Sequence, residues 1–289
     1  MNQMLLTLGT LTLGGSAAVL LLALAGRSTR GRYGAKWRCW GWLLLCLRLA
    51  VPLPLLPHGE ARAPIQVDLP TPPQTVQPIS PPSVSAPEAP SPVQPVQPVQ
   101  PVQPVQPQPE KSLTLEQLLL LVWLAGAAAM LLWNSWTHLR FLRWLRRWAA
   151  PVADSQAIAA FNQLGDKLKL SKRPQLLACQ GLKVPMLAGA LHPAILLPQE
   201  DMSGEVLGFS LLHELTHYRR KDIWLKSLAL WVNALYWFNP LMWYMLRLVE
   251  RDTELACDED TLRALPPQDF AAYGQTILDA VARLQEKSD

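Results

Sequence analysis

His213-Glu214-Leu215-Thr216-His217 is the stretch of this 289-residue chain whose residue types and spacing point most directly to a chemistry. Two histidines four apart on a helix lie on one face, one turn above the other. That spacing lets two imidazoles hold one Zn²⁺ at about 2.0–2.1 Å each. Glu214 adjoins the first, where its carboxylate can take a proton from water activated by the metal. The surroundings support a helix: Ser203 is a fair N-cap, and Val206, Leu207, Phe209, Leu211, Leu212 and Leu215 supply apolar faces.

Two imidazoles do not complete a zinc site, so a further ligand must come from elsewhere in the chain. After His217 come Tyr218-Arg219-Arg220-Lys221, then Asp222, which reads as an N-cap rather than a ligand. Residues 223–238 form a strongly apolar helical segment, and Asn239-Pro240 supplies a cap followed by a proline at the first helical position. The helix from Pro240 to about Arg263 carries Glu250, Glu254, Cys257 and Asp258 on one stripe. The apolar segment is shorter than the roughly 20 residues a membrane crossing needs. A single crossing would also strand those acidic groups on the wrong side from His213. A hairpin over 223–263 resolves both problems. At 1.5 Å per residue it runs out about 24 Å and returns about 21 Å by Glu254. Glu254 is therefore the expected third ligand. Asp258, one turn on, is placed to accept the second N–H of a ligand histidine. Glu250, Arg251 and Asp252 read as a solvated helix face. His192 reads as structural or exposed, and His58 and His138 lie isolated beside membrane ends. Cys39, Cys46, Cys179 and Cys257 lack CxxC spacing, which gives neither a disulfide framework nor a cysteine-based zinc site.

The rest of the chain must bring this machinery to a membrane. Half of the residues are hydrophobic and Trp occurs 12 times, a residue that favours membrane–water boundaries. Three spans are expected: 5–26, the less clean 40–56, interrupted by Arg48 and broken by Pro52 and Pro54, and 114–136, opened by a Thr114/Gln117 capping box. Arg48 is expected to snorkel to the nearer surface. Arg27, Arg30, Arg32, Lys36 and Arg38 follow the first span; Arg140, Arg143, Arg146 and Arg147 follow the third. The connection between the second and third has only Arg62 and Lys111. The positive-inside rule then puts the N-terminus outside and everything after about residue 137 in the cytoplasm. The expected organisation is two transmembrane helices in 1–56 and an extracytoplasmic linker at 57–112. A third transmembrane helix at 113–137 leads into a cytoplasmic peptidase domain at 138–289. The linker repeats Val-Gln-Pro five times from Val93 to Pro107 and reads as a polyproline II spacer. Arg140–Trp148 reads as a basic continuation of the third span along the cytoplasmic surface. Short apolar runs at 176–179, 184–187 and 194–197, bounded by Pro and Gly, predict a small sheet before the zinc helix. The fold class is thus a mainly α membrane protein with a small β-sheet.

Three blocks carry a resemblance. They are His213-Glu-Leu-Thr-His217-Tyr-Arg-Arg-Lys-Asp222, Tyr236-Trp-Phe-Asn-Pro240-Leu-Met-Trp243 and Arg251-Asp-Thr-Glu254-Leu-Ala-Cys-Asp258. Together with 184–198 they closely resemble the BlaR/MecR-type antirepressor family of integral-membrane zinc metallopeptidases. The resemblance implies a gluzincin-like site, with His213, His217 and Glu254 as ligands and Glu214 as catalytic base. It implies a signal-transducing zinc endopeptidase of antibiotic resistance that cleaves itself or a cytoplasmic transcriptional repressor. Members that sense β-lactams continue into a further membrane span and an extracellular penicillin-binding domain, which these 289 residues do not include. The chain is then either a piece of a longer sensor or a short member whose signal enters through the proline-rich segment. Two alternatives stand beside this reading: a quality-control or processing metalloprotease, and a non-catalytic scaffold that keeps zinc for structure. The expected partners are the lipid bilayer, a protein substrate and a second copy of the chain in a homodimer; direct nucleic-acid binding is not expected.

Overall fold

The computed structural model describes residues 2–29, 33–51, 114–199, 202 and 204–285. The linker (with Arg62, Lys111 and His58), Arg30, Arg32, the Ser203 cap and residues 52–56 of the expected second span lie outside the described residues. A second unit, Pro54–Thr114, coincides almost wholly with that linker.

Among the described residues, two helices are long and apolar enough to cross a membrane: α1 (Asn2–Ser28), through its stretch Leu6–Ser28, and α3 (Leu115–Trp148). Both expose most of their apolar surface. The helix in the expected second span differs. α2 (Lys36–Ala50) begins four residues earlier than residue 40 and has 15 residues, about 22 Å at 1.5 Å per residue against a hydrocarbon core of about 30 Å. Its Trp42, Cys46 and Leu49 are buried among α1 and the helices of the hairpin. Arg38 and Trp42 lie on this inner side, while Trp40, Leu44 and Leu47 form an exposed apolar face.

The hairpin forms as the sequence predicts. α6 (Asp222–Leu235) and α7 (Pro240–Ala264) pack along each other. Asn239 Oδ1 accepts from Leu241 N–H (3.0 Å) as the N-cap, and its amide donates to Ser16 Oγ of α1 (2.9 Å). Ala229, Val232, Tyr236, Met242, Met245 and Val249 build the bundle core with α1 and α2.

Asp252 corrects the solvated-face reading of 250–252. Glu250 is exposed, but Asp252 is fully buried against α2. Its carboxylate accepts from Trp42 Nε1 (2.9 Å) and pairs with Arg38 (3.3 Å) and Arg251 (2.9 Å). A buried carboxylate survives only when so paired. The helical stripe alone does not reveal that α2 covers this side of α7.

α3 starts directly after Thr114 and runs unbroken for 34 residues, so the basic stretch does continue the span. It docks on the hairpin tip. Trp123 Nε1 donates to Leu235 O (2.9 Å), and Trp237 Nε1 donates to Trp123 O (3.3 Å). Gly126 makes room for the Trp237 indole: a Cβ there would come within 2.2 Å of the ring.

A short strand, β1 (Ala149–Pro151), follows α3 at once. Next come α4 (Ser155–Lys167), capped by Asp154 through Gln156 and Ala157 N–H, and the strands β2 (Gln175–Cys179), β3 (Met186–Ala188) and β4 (Ala194–Pro198). The sheet order is β1-β2-β4-β3: β2 and β4 are parallel, while β1 joins β2 and β3 joins β4 antiparallel. β4 is buried on both faces. Ile195 and Leu197 point to α4 and α5 (Gly204–Arg220), meeting Phe161, Leu211, Leu212 and Leu215. Ala194 and Leu196 point the other way, toward Phe141 and Leu145 of α3. β3 is left as an edge strand. A 3₁₀ turn, Pro267–Asp269, leads into α8 (Phe270–Gln285), which packs on α5.

Candidate metal centre

The packing of α5 decides where its polar residues go. Leu211, Leu212 and Leu215 are pinned against the sheet. His213 and His217 must then face the hairpin, and Glu214 the edge strand β3. The two imidazoles approach through their Nε2 atoms (3.1 Å). Glu254 of α7 completes a triangle: its Oε2 lies 3.3 Å from His217 Nε2 and 3.6 Å from His213 Nε2. The hairpin thus returns Glu254 to the level of His217.

The far nitrogens are held as firmly. His217 Nδ1 faces Asp222 Oδ2 at 2.8 Å. His213 Nδ1 meets the hydroxyl of Tyr273, from α8, at 2.8 Å, and that hydroxyl donates to Asp258 Oδ1 at 2.7 Å. Asp258 itself is 3.4 Å from His213 Nδ1, so it acts largely through Tyr273. When both Nδ1 atoms carry a proton and donate outward, as these partners allow, both Nε2 atoms are left to face Glu254 Oε2, the arrangement metal-binding histidines need.

Asp222 corrects its reading as a helix cap. α6 does begin at Asp222, but the cap position is Lys221, in a left-handed conformation (φ 59°) with no side-chain cap. The Asp222 carboxylate turns back to His217 and to Arg220 Nε (3.0 Å). Arg220 in turn pairs with Asp260 (3.1 Å), and Asp260 with Lys36 at the start of α2 (2.7 Å).

Glu214 Oε2 accepts from the N–H of Leu187 in β3 (2.6 Å). Burial pushes its carboxyl above the usual carboxylate range, against the pull of His213 and His217. Lys226 of α6 donates to Glu254 Oε1 (2.7 Å), leaving Oε2 to the imidazoles. Burial opposes ionisation of Glu254, but bonds to His213 and His217 and the charge of Lys226 hold it far below the carboxylate range. Burial likewise disfavours charge on the imidazoles. For His213, bonds to Asp258, Cys257 and Glu254 outweigh it and raise the pKa well above the ordinary value. For His217, Asp222, Cys257 and Glu254 push it up to about 11. A cluster that binds protons this avidly has negative charge to balance, and a divalent cation between the same atoms would replace those protons.

The donor set fits such a cation. Tetrahedral Zn²⁺ with ligands at about 2.0–2.1 Å requires ligand atoms about 3.3–3.4 Å apart. The separations of 3.1, 3.3 and 3.6 Å bracket that value. Cys257 is the member the spacing argument set aside. Its Sγ groups with the two imidazoles within 4.8 Å. It lies 3.9 Å from His213 Nδ1 and donates to the His213 carbonyl (3.4 Å). Burial works against its ionisation, but bonds from His213 and His217 keep the thiol below its ordinary range.

Two functional residues escape sequence reasoning. Asp222 was legible only as a cap, and Tyr273 arrives on α8, far along the chain from any motif. Arg251 is held by Asp252 on the α2 side, whereas Tyr218 lines a cavity next to the site. His138 and His192 are exposed and apart from the cluster.

Known proteins show similarity to this chain. The chain matches the regulatory protein BlaR1 of Bacillus licheniformis at 28% identity over 169 residues, 58% of this chain and 28% of that protein. It matches the methicillin resistance mecR1 proteins of Staphylococcus aureus and Staphylococcus epidermidis at 30% identity over 97 residues, 32% of this chain and 17% of theirs. The chain therefore spans less than a third of the length of these relatives. The family model described as BlaR1 peptidase M56 covers residues 6–288, and the chain belongs to that family.

Proposed function

We propose that the protein is a membrane-anchored zinc endopeptidase of the antirepressor type. The reading rests on one observation: two imidazole Nε2 atoms and a carboxylate oxygen converge within 3.6 Å, with a second carboxylate, Glu214, beside them. His213, His217 and Glu254 would hold a zinc ion. When bound, zinc supplies Lewis acidity to the scissile carbonyl and to the attacking water. Glu214 takes the proton of that water and delivers it to the leaving amide nitrogen. Its raised pKa brings it closer to neutrality, where a group that both takes and returns a proton works best. Asp222, Tyr273 and Asp258 hold the imidazoles in the tautomer that faces zinc, and Lys226 holds Glu254 by one oxygen. The outward edge of β3 offers backbone groups to an extended substrate.

α1 and α3 anchor the protein in the cell membrane, with the N-terminus outside and the peptidase cytoplasmic, as the cations after residues 26 and 139 favour. The substrate is the chain itself or a cytoplasmic repressor, in keeping with the regulatory and resistance roles in the relatives' names. In this reading the protein passes on a signal received outside.

Glu214→Gln tests the mechanism. The purified variant should keep its zinc and its melting temperature and lose cleavage by about 10²–10⁴-fold; unchanged proteolysis would exclude it. The position of Cys257 suggests a second reading, a closed structural site with the sulfur as fourth ligand. That reading requires Cys257→Ala to release the metal, whereas the catalytic one requires it to stay.

A further inference from the structure

Beside Glu214 the cleft widens into a cavity of about 510 Å³, within the range of ligand pockets. Two of its walls come from the site itself. One is Leu187, whose N–H holds Glu214. The other is the end of α5, which supplies Tyr218, one turn after Glu214, and Arg219, with Lys221 just beyond the helix. The remaining polar lining is all of one sign: Lys169, Lys172 and Arg219 join Lys221. Among the described residues none of these four cations is in an ion pair.

The backbone adds an independent observation. Lys169 (φ 57°) and Lys221 (φ 59°) are the two non-glycine residues with a left-handed backbone among the described residues, and both line this cavity. L-residues adopt that conformation at a cost that glycine avoids. Both lysines stand where a helix ends, after α4 and after α5, the ordinary place for that conformation, and each turn delivers its lysine to the wall of the cavity.

We propose that this cavity is a substrate subsite that selects acidic side chains, Asp or Glu placed about two to four residues from the bond to be cut. The inference rests on the peptidase reading and names its substrate class. The spacing follows from the fold: one helical turn of about 5.4 Å separates Glu214 from Tyr218, and an extended peptide advances about 3.3 Å per residue. Anionic headgroups would also be drawn to such cations. A peptide is favoured because the cavity is lined by Leu187 of β3, whose N–H holds Glu214, and by Gly189, Ala190 and Leu191, which follow that edge strand.

The test uses the full chain with Zn²⁺ in phosphatidylcholine nanodiscs and quenched fluorescent peptides carrying Glu or Lys at each position around one cleavage site. At one position within that window, Glu should be favoured over Lys by about tenfold, with the ratio shrinking as salt is raised. In the Lys169→Glu/Lys172→Glu protein the ratio should invert, with the melting temperature unchanged; Arg219→Glu, on a different element, should move it the same way. Equal cleavage of Glu and Lys peptides at every position overturns the proposal. So does a double variant that loses affinity for phosphatidylserine vesicles yet keeps its preference for Glu. If the wild type cleaves no peptide, it is the peptidase reading that fails. Fluorescence anisotropy of the Glu peptide on the Glu214→Gln protein then decides the cavity by itself: salt-sensitive binding supports it, and no binding refutes it.

Discussion

Asp222 is the sharpest place to perturb the site without touching a candidate ligand. It is buried, it sits 2.8 Å from His217 Nδ1, and it shares its oxygen with Arg220 at 3.0 Å. Asp222→Asn keeps an acceptor for the imidazole N–H but removes the charge that strengthens the ligand. Partners of this kind are worth about 10–100-fold in metal affinity, or about 1.4–2.8 kcal/mol. The fold should barely change, because Arg220 keeps Asp260. Asp222→Ala goes further. It leaves a buried N–H without an acceptor and should also cost the metal-free protein about 1–3 kcal/mol. Two measurements separate these terms: zinc transfer to a competing chromophoric chelator at fixed pH, and thermal melts of the metal-free protein by circular dichroism. Tyr273→Phe is the counterpart for His213. It should weaken zinc by about tenfold at most, because Asp258, already 3.4 Å away, can close onto Nδ1. Zinc affinity in Asp222→Asn within twofold of wild type would refute the idea that this carboxylate tunes His217.

Gly126→Leu should drive a side chain into the Trp237 indole and undock α3 from the hairpin, read as a red shift of tryptophan emission and easier proteolysis near the hairpin tip. Asp252→Ala leaves Arg38 buried without its carboxylate and should destabilise the bundle by about 3–5 kcal/mol, measured by thermal unfolding in detergent. Asp260 governs an acid-side effect. Burial alone would raise its pKa, but bonds from Lys36 and Arg220 lower it below its ordinary 3.8. A depressed carboxylate contributes stability that is complete above the unfolded pKa and fades as pH falls through the folded one. Below about pH 3.8 the melting temperature of wild type should therefore fall toward that of Asp260→Asn, and the gap between them should be widest near neutrality.

Local signals made much of this molecule legible. The two imidazoles and Glu214 come from one helical spacing. Glu254 follows from counting helix rise out to Asn239-Pro240 and back. All three expected strands are present, because short apolar runs flanked by Pro and Gly have few other uses. The failures share a cause: they are facts about neighbours. Asp252 looked solvated because nothing in its own helix announces that α2 covers it. Asp222 looked like a cap because a carboxylate at a helix start usually is one, and the competing partner lies one turn back on the preceding helix. Tyr273 belongs to a helix whose docking on α5 depends on tertiary packing.

The charges running from Lys36 through Asp260, Arg220 and Asp222 to His217 cross from the start of α2 to the metal centre in four steps, none longer than 3.1 Å. A tilt of α2 against α7 must stretch one of these steps, and the strain ends at an imidazole ring. The geometry of the membrane-side bundle and the readiness of His217 to accept a metal are therefore one thermodynamic variable seen from two ends. By reciprocity, a cation held at His217 would favour the placement of the start of α2 as much as that placement would favour the cation.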